Sequence, residues 1–522
     1  MVDAGIGKPD GRPDGASGRF DVDHLRDQLG RRVISGGMIS IGAQVLRIAL
    51  NLLSIAILAR LIPPAEFGVV ALALPIAYLA SDIAQYALGQ VTVQRQYITQ
   101  AQVSALFWAN LLIAGAVTAL LAVASGAVAA FYDDHRVAPV LMALALSTLL
   151  SGAASQFSAI LSREMRFWAL QGSAILAEIC GIAGAVWAAY AGLSYWAIVI
   201  QILVRQAALL VLRIWWSRWL PDGPATLPQA RGLVSTGGNL AVFSLLTQLG
   251  HGLGVVVVGR VLGDVQAGLF LRAWNIANWP VTQVMGPLGS VLTPALARVA
   301  GVPGRLDAVH DRVLVQTAMV AVPLGATFVA LAEPITLILL GEQWREATIL
   351  LAALGVRAFT VPLTSVIQWR LIASGGTAVL RRFALLAMPV TLAAYGVATQ
   401  FGLAQTAAAQ GALSLAVFLP LLIWLAGAKG GPPPRRTLAM LLPFVLAMAA
   451  ITIAASAAYR LLPTGPGGPG MAAAFALGLA VICCLHLGFC LAVPRYRREL
   501  FDVAGRILAI APRRNGKDAA AS

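Results

Sequence analysis

The chain has 522 residues, of which 59% are hydrophobic and 11% charged, and its mean hydropathy is +0.81. Soluble domains carry about 25% charged residues, so the composition excludes an ordinary soluble protein. The formal net charge of +15 comes almost wholly from arginine. Because the arginines are scattered over helix ends rather than gathered on one face, the charge does not indicate nucleic acid as a partner.

Apolar segments long enough to cross a bilayer recur from Val33 to Val493. One helical crossing takes roughly 20 residues and the joins are short, so we predict an all-α integral membrane protein with about fourteen transmembrane helices. The predicted spans are Val33–Ala59, Phe67–Gln90, Val103–Ala130, Val137–Leu161, Phe167–Ala191, Ser194–Trp216, Val234–Gly259, Val265–Thr293, Val313–Ala332, Ala347–Ser374, Phe383–Phe401, Leu403–Leu425, Leu438–Ala458 and Met471–Val493.

Arginine and lysine are concentrated in alternate joins, which the positive-inside rule assigns to the cytoplasm. We therefore expect an even number of helices and both termini in the cytoplasm. The first span is too long for a signal-peptide core and lacks a cleavage site, so it is expected to remain as the first helix. The opposite joins hold only Arg60, Arg136, Arg260, Arg345 and Arg460.

The joins and their composition divide the chain into six predicted segments. A hydrophilic tail precedes two six-helix bundles joined by a cytoplasmic linker, and two accessory helices and a basic tail follow. Apolar residues among the basic ones of the last segment are typical of a helix on an anionic lipid surface. In order, the segments are residues 1–32, 33–216, 217–233, 234–428, 429–493 and 494–522.

An internal repeat relates the two bundles. The join after the first span, ARLIPPAEFG, aligns without gaps with the join after the seventh, GRVLGDVQAG, so that Arg60 matches Arg260 and Gly68 matches Gly268. Six helices separate the two joins, which predicts a parallel repeat about a pseudo-twofold axis along the membrane normal. A weaker echo matches Arg136, Ala138 and Leu141 with Arg345, Ala347 and Leu350.

Six stretches in the first ten predicted helices carry a family resemblance. They are LARLIPPAEFGVVALA, LGQVTVQR, FYDDHRVAPVLMALAL, LSREMRF, GLFLRAWNIANWPVTQVMGPLGSVLTPALARV and LLGEQW. The chain resembles the Wzx-type polysaccharide exporters, or lipid-linked oligosaccharide flippases, of the multidrug/oligosaccharidyl-lipid/polysaccharide superfamily, and within them the colanic-acid and succinoglycan exporters. The last four helices match in hydropathy only.

The resemblance implies two bundles around a central cavity in a bacterial inner (plasma) membrane. The implied substrate is an oligosaccharide on an undecaprenyl diphosphate carrier, turned from the inner to the outer leaflet. Membrane lipids, a polysaccharide polymerase and chain-length machinery are the expected partners. Because the sequence has no Gly-rich phosphate loop, no paired Cys-x-x-Cys motif and no nucleophile elbow, we predict no enzyme, no cofactor and no metal.

Ionisable residues at bilayer depth usually face a bundle interior, because each costs ~2.5–3.5 kcal/mol to insert. Arginines outnumber carboxylates there, which predicts a cationic interior suited to a diphosphate, since the guanidinium fork binds phosphate oxygens in pairs. The predicted intramembrane arginines are Arg47, Arg205, Arg272, Arg357 and Arg370, against Asp82 and Glu178. The predicted cavity-lining residues are Gln44, Arg47, Asn51, Arg205, Gln248, Arg272, Asn275 and Arg357.

Other roles stay open for several of these residues. Two polar stripes either line the cavity or hydrogen-bond neighbouring helices together. Arg272 either lines the cavity or extends to the outer interface. The stripes are Gln44, Arg47 and Asn51 on the first helix and Ser244, Gln248 and His251 on the seventh.

Glu178 and Arg205 lie at similar predicted depths, so an ion pair between them is the simpler expectation. Alternatively, Glu178 or Asp82 is a proton or sodium site, which needs a carboxylate whose charge changes during the cycle. His251 is a third ion-coupling candidate, or else a buried histidine of the core. Solvated positions are expected for His24, His135 and His310.

These features predict an inner-membrane transporter that moves a polyprenyl-diphosphate-linked glycan outward by alternating access. A drug/cation antiporter of the same superfamily would need an acidic interior instead. A membrane-embedded glycan polymerase or ligase would need a sizeable outer loop with catalytic groups, whereas the outer joins here are short. A scaffold without transport leaves the interior arginines unexplained.

Overall fold

The computed structural model describes residues 29–86, 92, 98–223, 238–302, 304–461 and 469–510. Each of the six predicted segments lies partly outside these residues, since residues 1–28, 87–91, 93–97, 224–237, 303, 462–468 and 511–522 are not described. The described chain is helical and contains no β-strand, which confirms the all-α prediction.

The helices follow one another with short connections. Two 3-10 turns, Glu342–Trp344 and Thr399–Phe401, lie between them, and a π-helical turn, Ser414–Phe418, separates α13 from α14. The helices are α1 (Leu29–Leu61), α2 (Pro64–Tyr86), α3 (Gln100–Tyr132), α4 (Val137–Arg163), α5 (Phe167–Tyr190), α6 (Trp196–Ser217), α7 (Gly238–Leu262), α8 (Asp264–Val299), α9 (Arg305–Ala330), α10 (Ala332–Leu339), α11 (Ala347–Ala373), α12 (Thr377–Ala398), α13 (Leu403–Leu413), α14 (Leu419–Ala428), α15 (Pro434–Arg460), α16 (Pro469–Ala492) and α17 (Pro494–Ile510).

Thirteen of the described helical segments are long and apolar enough to cross a membrane. α8 has 36 residues but is not one of them. Its charged residues Asp264, Arg272 and Arg298, together with several amide side chains, lower its hydropathy. The multi-spanning architecture is confirmed, and the count of fourteen spans stays a prediction.

The first compact unit comprises Met1–Arg272, Ile338–Glu346 and Met388–Thr406. In it α3 and α4 pack so closely that a Cβ at Gly152 would lie 2.4 Å from the Cβ of Ala114. α7 packs on α2 in the same unit, with Gly252 against Pro75. Small residues at these crossings allow the helix backbones to approach closely, as is usual inside membranes.

The second compact unit comprises Ala273–Leu337, Ala347–Ala387 and Ala407–Ser522. α9 is its central helix and packs on α11, α15 and α16. A Cβ at Gly325 of α9 would lie 2.9 Å from the Cβ of Phe359. The predicted bundle boundaries at residues 33–216 and 234–428 stay a prediction.

The two glycines of the sequence repeat contact each other within the first unit. A Cβ at Gly68 would lie 2.3 Å from the carbonyl oxygen of Asp264, and a Cβ at Gly268 would lie 3.0 Å from the backbone of Gly68 and 3.1 Å from the carbonyl oxygen of Pro64. Each glycine therefore packs against the residue that lies one helical turn before the other glycine, Gly68 against Asp264 and Gly268 against Pro64. That reciprocity is what a twofold repeat predicts.

The repeat arginines also make reciprocal contacts at the end predicted to face outward. Arg60 donates to the carbonyl oxygen of Ile338 at 3.0 Å, in the join that follows the ninth predicted span. Arg260 lies 3.6 Å from Asp133 and 5.8 Å from the Phe131 ring, in the join that follows the third. Each arginine thus contacts a join that belongs to the other six-helix repeat: Arg60 contacts the join after the ninth span, and Arg260 contacts the join after the third.

The join between α3 and α4 is tied to the start of α8. Arg136 lies 2.8 Å from Asp134 and 3.1 Å from Asp264. Burial would raise the pKa of the Asp134 carboxyl, but the hydrogen bonds and charge of Arg136 lower it below its ordinary value. The acidic residues of this join therefore act as ion-pair partners of Arg136.

α9 begins at Arg305, about two turns before the predicted start at Val313. The early turns carry charges that lower hydropathy, but three of these charges, Asp307, Asp311 and Arg312, are paired in the second unit. Asp307 lies 2.6 Å from Arg370, whose side chain is 4% exposed. Arg370 was predicted as part of the cationic interior, and it is instead neutralised at this end of α9.

The expectation of a solvated His310 is wrong. Its side chain is 2% exposed and its Nδ1 lies 3.3 Å from the carboxylate of Asp311. Arg436 donates to the other oxygen of that carboxylate at 2.5 Å. His310 and Asp311 are therefore buried on α9, and Arg436 of α15, whose side chain is 58% exposed, covers the carboxylate from outside.

We expect Gly68→Ala to destabilise the first unit. The new methyl group overlaps a carbonyl of α8, and such overpacking typically costs about 1–3 kcal/mol. Thermal unfolding of the purified protein in detergent measures the loss. Gly126→Ala in α3 is the matched control, since a Cβ there meets nothing within 4 Å. Equal melting temperatures for the two variants would contradict the close contact.

Candidate functional site

Three of the stretches that carry the family resemblance meet at Arg272. The guanidinium carbon of Arg272 lies 4.0 Å from the centre of the Phe67 ring and 5.6 Å from that of Trp344. The two rings pack edge to face with centroids 5.6 Å apart. We call these three residues the aromatic cage. Facing aromatic rings stabilise a cation most strongly when it is removed from water.

The cage is fixed by its connections to α1. Trp344 is fully buried and its indole Nε1 donates to the carbonyl oxygen of Ala59 at 2.9 Å. Gln343 donates to the same oxygen. Arg272 is only 7% exposed, and its Nε is buried without a hydrogen-bond partner among the described residues. Its side chain is therefore directed into the protein and does not extend to the outer interface.

The polar stripe of α1 has two different ends. At its outer end Ser54, which continues the stripe, accepts a hydrogen bond from Gln201 of α6 at 2.8 Å. At its inner end Arg47 donates to Gln44 of its own helix. Asn51 lies between them, half-buried. At Ser54 the stripe thus joins α1 to α6 by a hydrogen bond. At Arg47 it contributes a positive charge, which donates to Gln44 of the same helix.

Glu178 of α5 and Arg205 of α6 form the expected ion pair, with 3.5 Å between carboxylate and guanidinium. The arginine side chain is 38% exposed and the glutamate 14%.

Arg213 of α6 joins this group, although the sequence analysis did not select it. It is half-buried. The Nε atoms of Arg47 and Arg213 are both buried and lack a hydrogen-bond partner in the described chain.

Asp82 of α2 accepts a hydrogen bond from Gln248 of α7. This contact places one predicted ion-coupling residue against one predicted cavity residue. The side chain of His251 lies outside the described part of the structure, so its role stays a prediction. Among the described residues, no group of three or more His, Cys, Asp or Glu side chains is placed to hold a metal ion.

The predicted residues of the second unit form a separate contact. The guanidinium carbon of Arg357 lies 4.3 Å from the centre of the Trp274 ring, and the arginine is 8% exposed. Asn275 follows Trp274 on α8 and is half-buried. Arg357, like Arg272, is directed inward and covered by an aromatic ring.

A family described as "Polysaccharide biosynthesis protein" matches residues 57–349, which is more than half of the chain. The chain belongs to this family. The match contains the aromatic cage, the Glu178–Arg205 pair and Arg213, whereas Arg47 precedes it. The predicted resemblance to polysaccharide exporters is thereby confirmed.

Two curated relatives illustrate the family. Lipopolysaccharide biosynthesis protein WzxC of Escherichia coli (strain K12) is 24% identical over 328 residues, which cover 61% of this chain and 65% of that protein. Succinoglycan biosynthesis transport protein ExoT of Rhizobium meliloti (strain 1021) is 28% identical over 303 residues, covering 57% and 60%. The chain thus matches less than two thirds of the length of either relative.

Two solved structures share the fold. The lipid II flippase MurJ, in an inward closed conformation, matches with a TM-score of 0.65 at 12% identity and covers 90% of this chain and 100% of that one. An inward-facing multidrug resistance transporter of the MATE family of the MOP superfamily matches with a TM-score of 0.51 at 14% identity, covering 75% and 96%. At these sequence identities the two likenesses show the fold of the chain and nothing further.

Arg213 was missed because it lies beside Trp215 at the predicted inner end of α6. An arginine there is an ordinary positive-inside signal. The signal that identifies it is its spacing: Arg213 follows Arg205 by about two helical turns, which puts both on one side of α6. The aromatic cage was missed because nothing in the sequence shows that Phe67 and Trp344 meet.

We expect Trp344→Phe to lower thermal stability. The change keeps an aromatic ring but removes the hydrogen bond to Ala59 and leaves a small void, at a cost of about 1–3 kcal/mol. The melting temperature of the purified protein reports the loss. Trp424→Phe is the control, since that side chain is 59% exposed. A larger loss at Trp424 than at Trp344 would contradict the role of the cage.

Proposed function

We propose that this chain translocates an undecaprenyl-diphosphate-linked oligosaccharide from the inner to the outer leaflet of the bacterial inner membrane. The oligosaccharide would be a repeat unit of an exopolysaccharide or lipopolysaccharide, and both termini would lie in the cytoplasm. Family membership and the flippase-like fold support a transporter of this class. No catalytic step is assigned to the chain.

One observation carries the proposal: the interior of the first unit has an excess of positive charge. Within the described chain, Glu178 is the carboxylate that is ion-paired with this group of arginines, through Arg205. A diphosphate supplies the missing negative charge and accepts paired hydrogen bonds from guanidinium groups. The arginines are Arg47, Arg205, Arg213 and Arg272.

Alternating access requires contacts at the outer end that separate and form again. The ion pair between Arg136 and Asp264 meets this requirement, because its side chains are 38% and 29% exposed. Pairs exposed to that extent contribute only about 0–1 kcal/mol each. This ion pair would therefore separate at little cost once the headgroup is bound.

Of the two candidate carboxylates, we favour Asp82 for ion coupling. Glu178 already forms an ion pair with Arg205. Asp82 contacts the neutral amide of Gln248, so a proton or a sodium ion can change its charge without breaking an ion pair. Glu178 would then serve to position Arg205.

Helix α17 supports the proposed contact with membrane lipids. Its acidic residues face the protein: Glu499 lies 2.8 Å from Arg312 of α9, and Asp502 also contacts that arginine. Arg497, Arg498 and Phe501 are exposed. A helix with basic and aromatic residues on its free side suits an anionic leaflet. A polysaccharide polymerase and chain-length machinery would consume the exported unit.

Reconstitution in proteoliposomes tests the function. We expect the wild type to make a labelled, lipid-linked oligosaccharide accessible to an external glycosidase. Replacing Arg47, Arg205 or Arg272 by Ala should slow this at least tenfold, because charged hydrogen bonds of about 1.5–3 kcal/mol are lost, and Lys should restore part of the rate. Arg381→Ala is the control, since Arg381 is exposed.

Two results would overturn the proposal. The cationic site is excluded if every folded arginine variant translocates at the wild-type rate. Elongation of the glycan without translocation would favour a polymerase.

The same proteoliposomes test ion coupling. We expect Asp82→Asn to lose the acceleration that an imposed proton or sodium gradient gives to the wild type, because its charge no longer changes. Glu178→Gln should retain the response to the gradient while translocating more slowly. The reverse pattern would assign coupling to Glu178.

A further inference from the structure

The aromatic cage joins the two predicted repeats within the first unit, at the end predicted to face outward. Ala59 and Phe67 belong to the first repeat, and Arg272 and Trp344 belong to the second. The guanidinium carbon of Arg272 lies 4.0 Å from the centre of the Phe67 ring, and Trp344 donates to the carbonyl oxygen of Ala59 at 2.9 Å. Repeats that separate at this end must break both contacts.

The two rings of the cage also adjoin the other contacts between the repeats. Phe67 precedes Gly68, which packs against the carbonyl of Asp264. Trp344 lies in the join that Arg60 contacts. Because a close-packed interior transmits strain to its neighbours, a displacement of either ring is passed on to these contacts. The cage is therefore placed to control whether the repeats stay together.

The guanidinium group of Arg272 is held by aromatic rings. Among the described residues, its contacts are the Phe67 and Trp344 rings, and its Nε is buried without a hydrogen-bond partner. A ring face accepts none of the guanidinium N–H groups in the way an oxygen does. A buried donor without an acceptor is uncommon in native proteins and requires an explanation. The side chain is thus positioned by the rings with its hydrogen-bonding capacity still available.

A phosphate group is a stronger partner for this guanidinium than an aromatic ring. Phosphate oxygens accept two parallel N–H bonds from the planar fork, and such charge-assisted bonds are roughly twice as strong as neutral ones. A ring offers only the attraction of its quadrupole. An arginine that can reach both partners therefore moves from the rings to the phosphate.

We propose that Arg272 couples binding of the diphosphate headgroup to opening of the outer end. In the arrangement described here, Arg272 lies on Phe67 and Trp344 and holds the repeats together. A phosphate group of the carrier withdraws it from the rings, and the loosened cage lets the repeats separate. The headgroup shifts the equilibrium because one guanidinium cannot serve the rings and the phosphate at once. This inference rests on the proposed function and adds to it the step by which the substrate triggers its own passage.

The distance between two spin labels at the outer end tests the coupling. The labels replace Leu61 and Val261, which are both exposed and follow the two repeat arginines. The full chain, with its four cysteines changed to alanine, is held in nanodiscs of neutral lipid. The probes are farnesyl diphosphate and uncharged farnesol. We expect the diphosphate to lengthen the distance in the otherwise unchanged protein and farnesol to leave it as it was.

Two variants change opposite sides of the balance. Phe67→Leu keeps an apolar side chain but removes the ring face, so half-maximal opening should need about tenfold less diphosphate. Arg272→Gln removes the cation, so the distance should no longer respond to the diphosphate. Arg381→Gln makes the same charge change at an exposed site and should respond like the wild type. Should Arg272→Gln not fold, the shift in Phe67→Leu decides.

A purely structural cage predicts a different result. It would lower the melting temperature of the variants without moving the diphosphate concentration for opening. The inference is wrong if the diphosphate leaves the wild-type distance unchanged, if folded Phe67→Leu opens at the wild-type concentration, or if Arg272→Gln still responds.

The outcomes also separate this inference from the proposed function. If the variants contradict the coupling while the wild type translocates its glycan in proteoliposomes, the coupling is wrong and the function stands. If the diphosphate opens the wild type and not Arg272→Gln, yet no glycan is translocated, the coupling holds and the proposed function fails.

Discussion

The close approach of Gly68 and Gly268 is the constraint on which the rest of the first unit depends. The starts of α2 and α8 can touch only because neither residue has a side chain. That contact fixes Phe67, the neighbour of Gly68, and Arg272, one turn after Gly268. The guanidinium group of Arg272 can therefore lie directly over the Phe67 ring. Trp344, from a segment far along the chain, supplies the second ring of the cage.

Sequence reasoning predicted the repeat because it depends on residues that match at fixed spacing. It also predicted apolar helices closely, as α4 shows: Val137–Leu161 was expected and Val137–Arg163 is observed. The start of α9 was placed too late because hydropathy counts every charge as exposed. Asp307 and Asp311 are instead neutralised by arginines from helices far along the chain, which a local window cannot detect.

The candidate site shows the same limit. Depth along a helix follows from spacing, so the Glu178–Arg205 pair was predictable and is present. Which helix faces which does not follow from spacing, and the aromatic cage depends on it. Arg272 and Arg357 are each covered by an aromatic ring, and such a ring stabilises a cation that is removed from water.

The uneven compensation of the arginines has a consequence for transport. A translocated ion must bind strongly enough to enter and weakly enough to leave, which several sites of graded strength achieve better than one strong site. On the proposed function, a diphosphate that binds Arg205 meets an arginine already paired with Glu178. Because that carboxylate repels the phosphate, Arg205 holds it less tightly than an unpaired arginine would, and the headgroup is not trapped midway. An arginine series without Glu178 would bind its substrate better and release it more slowly.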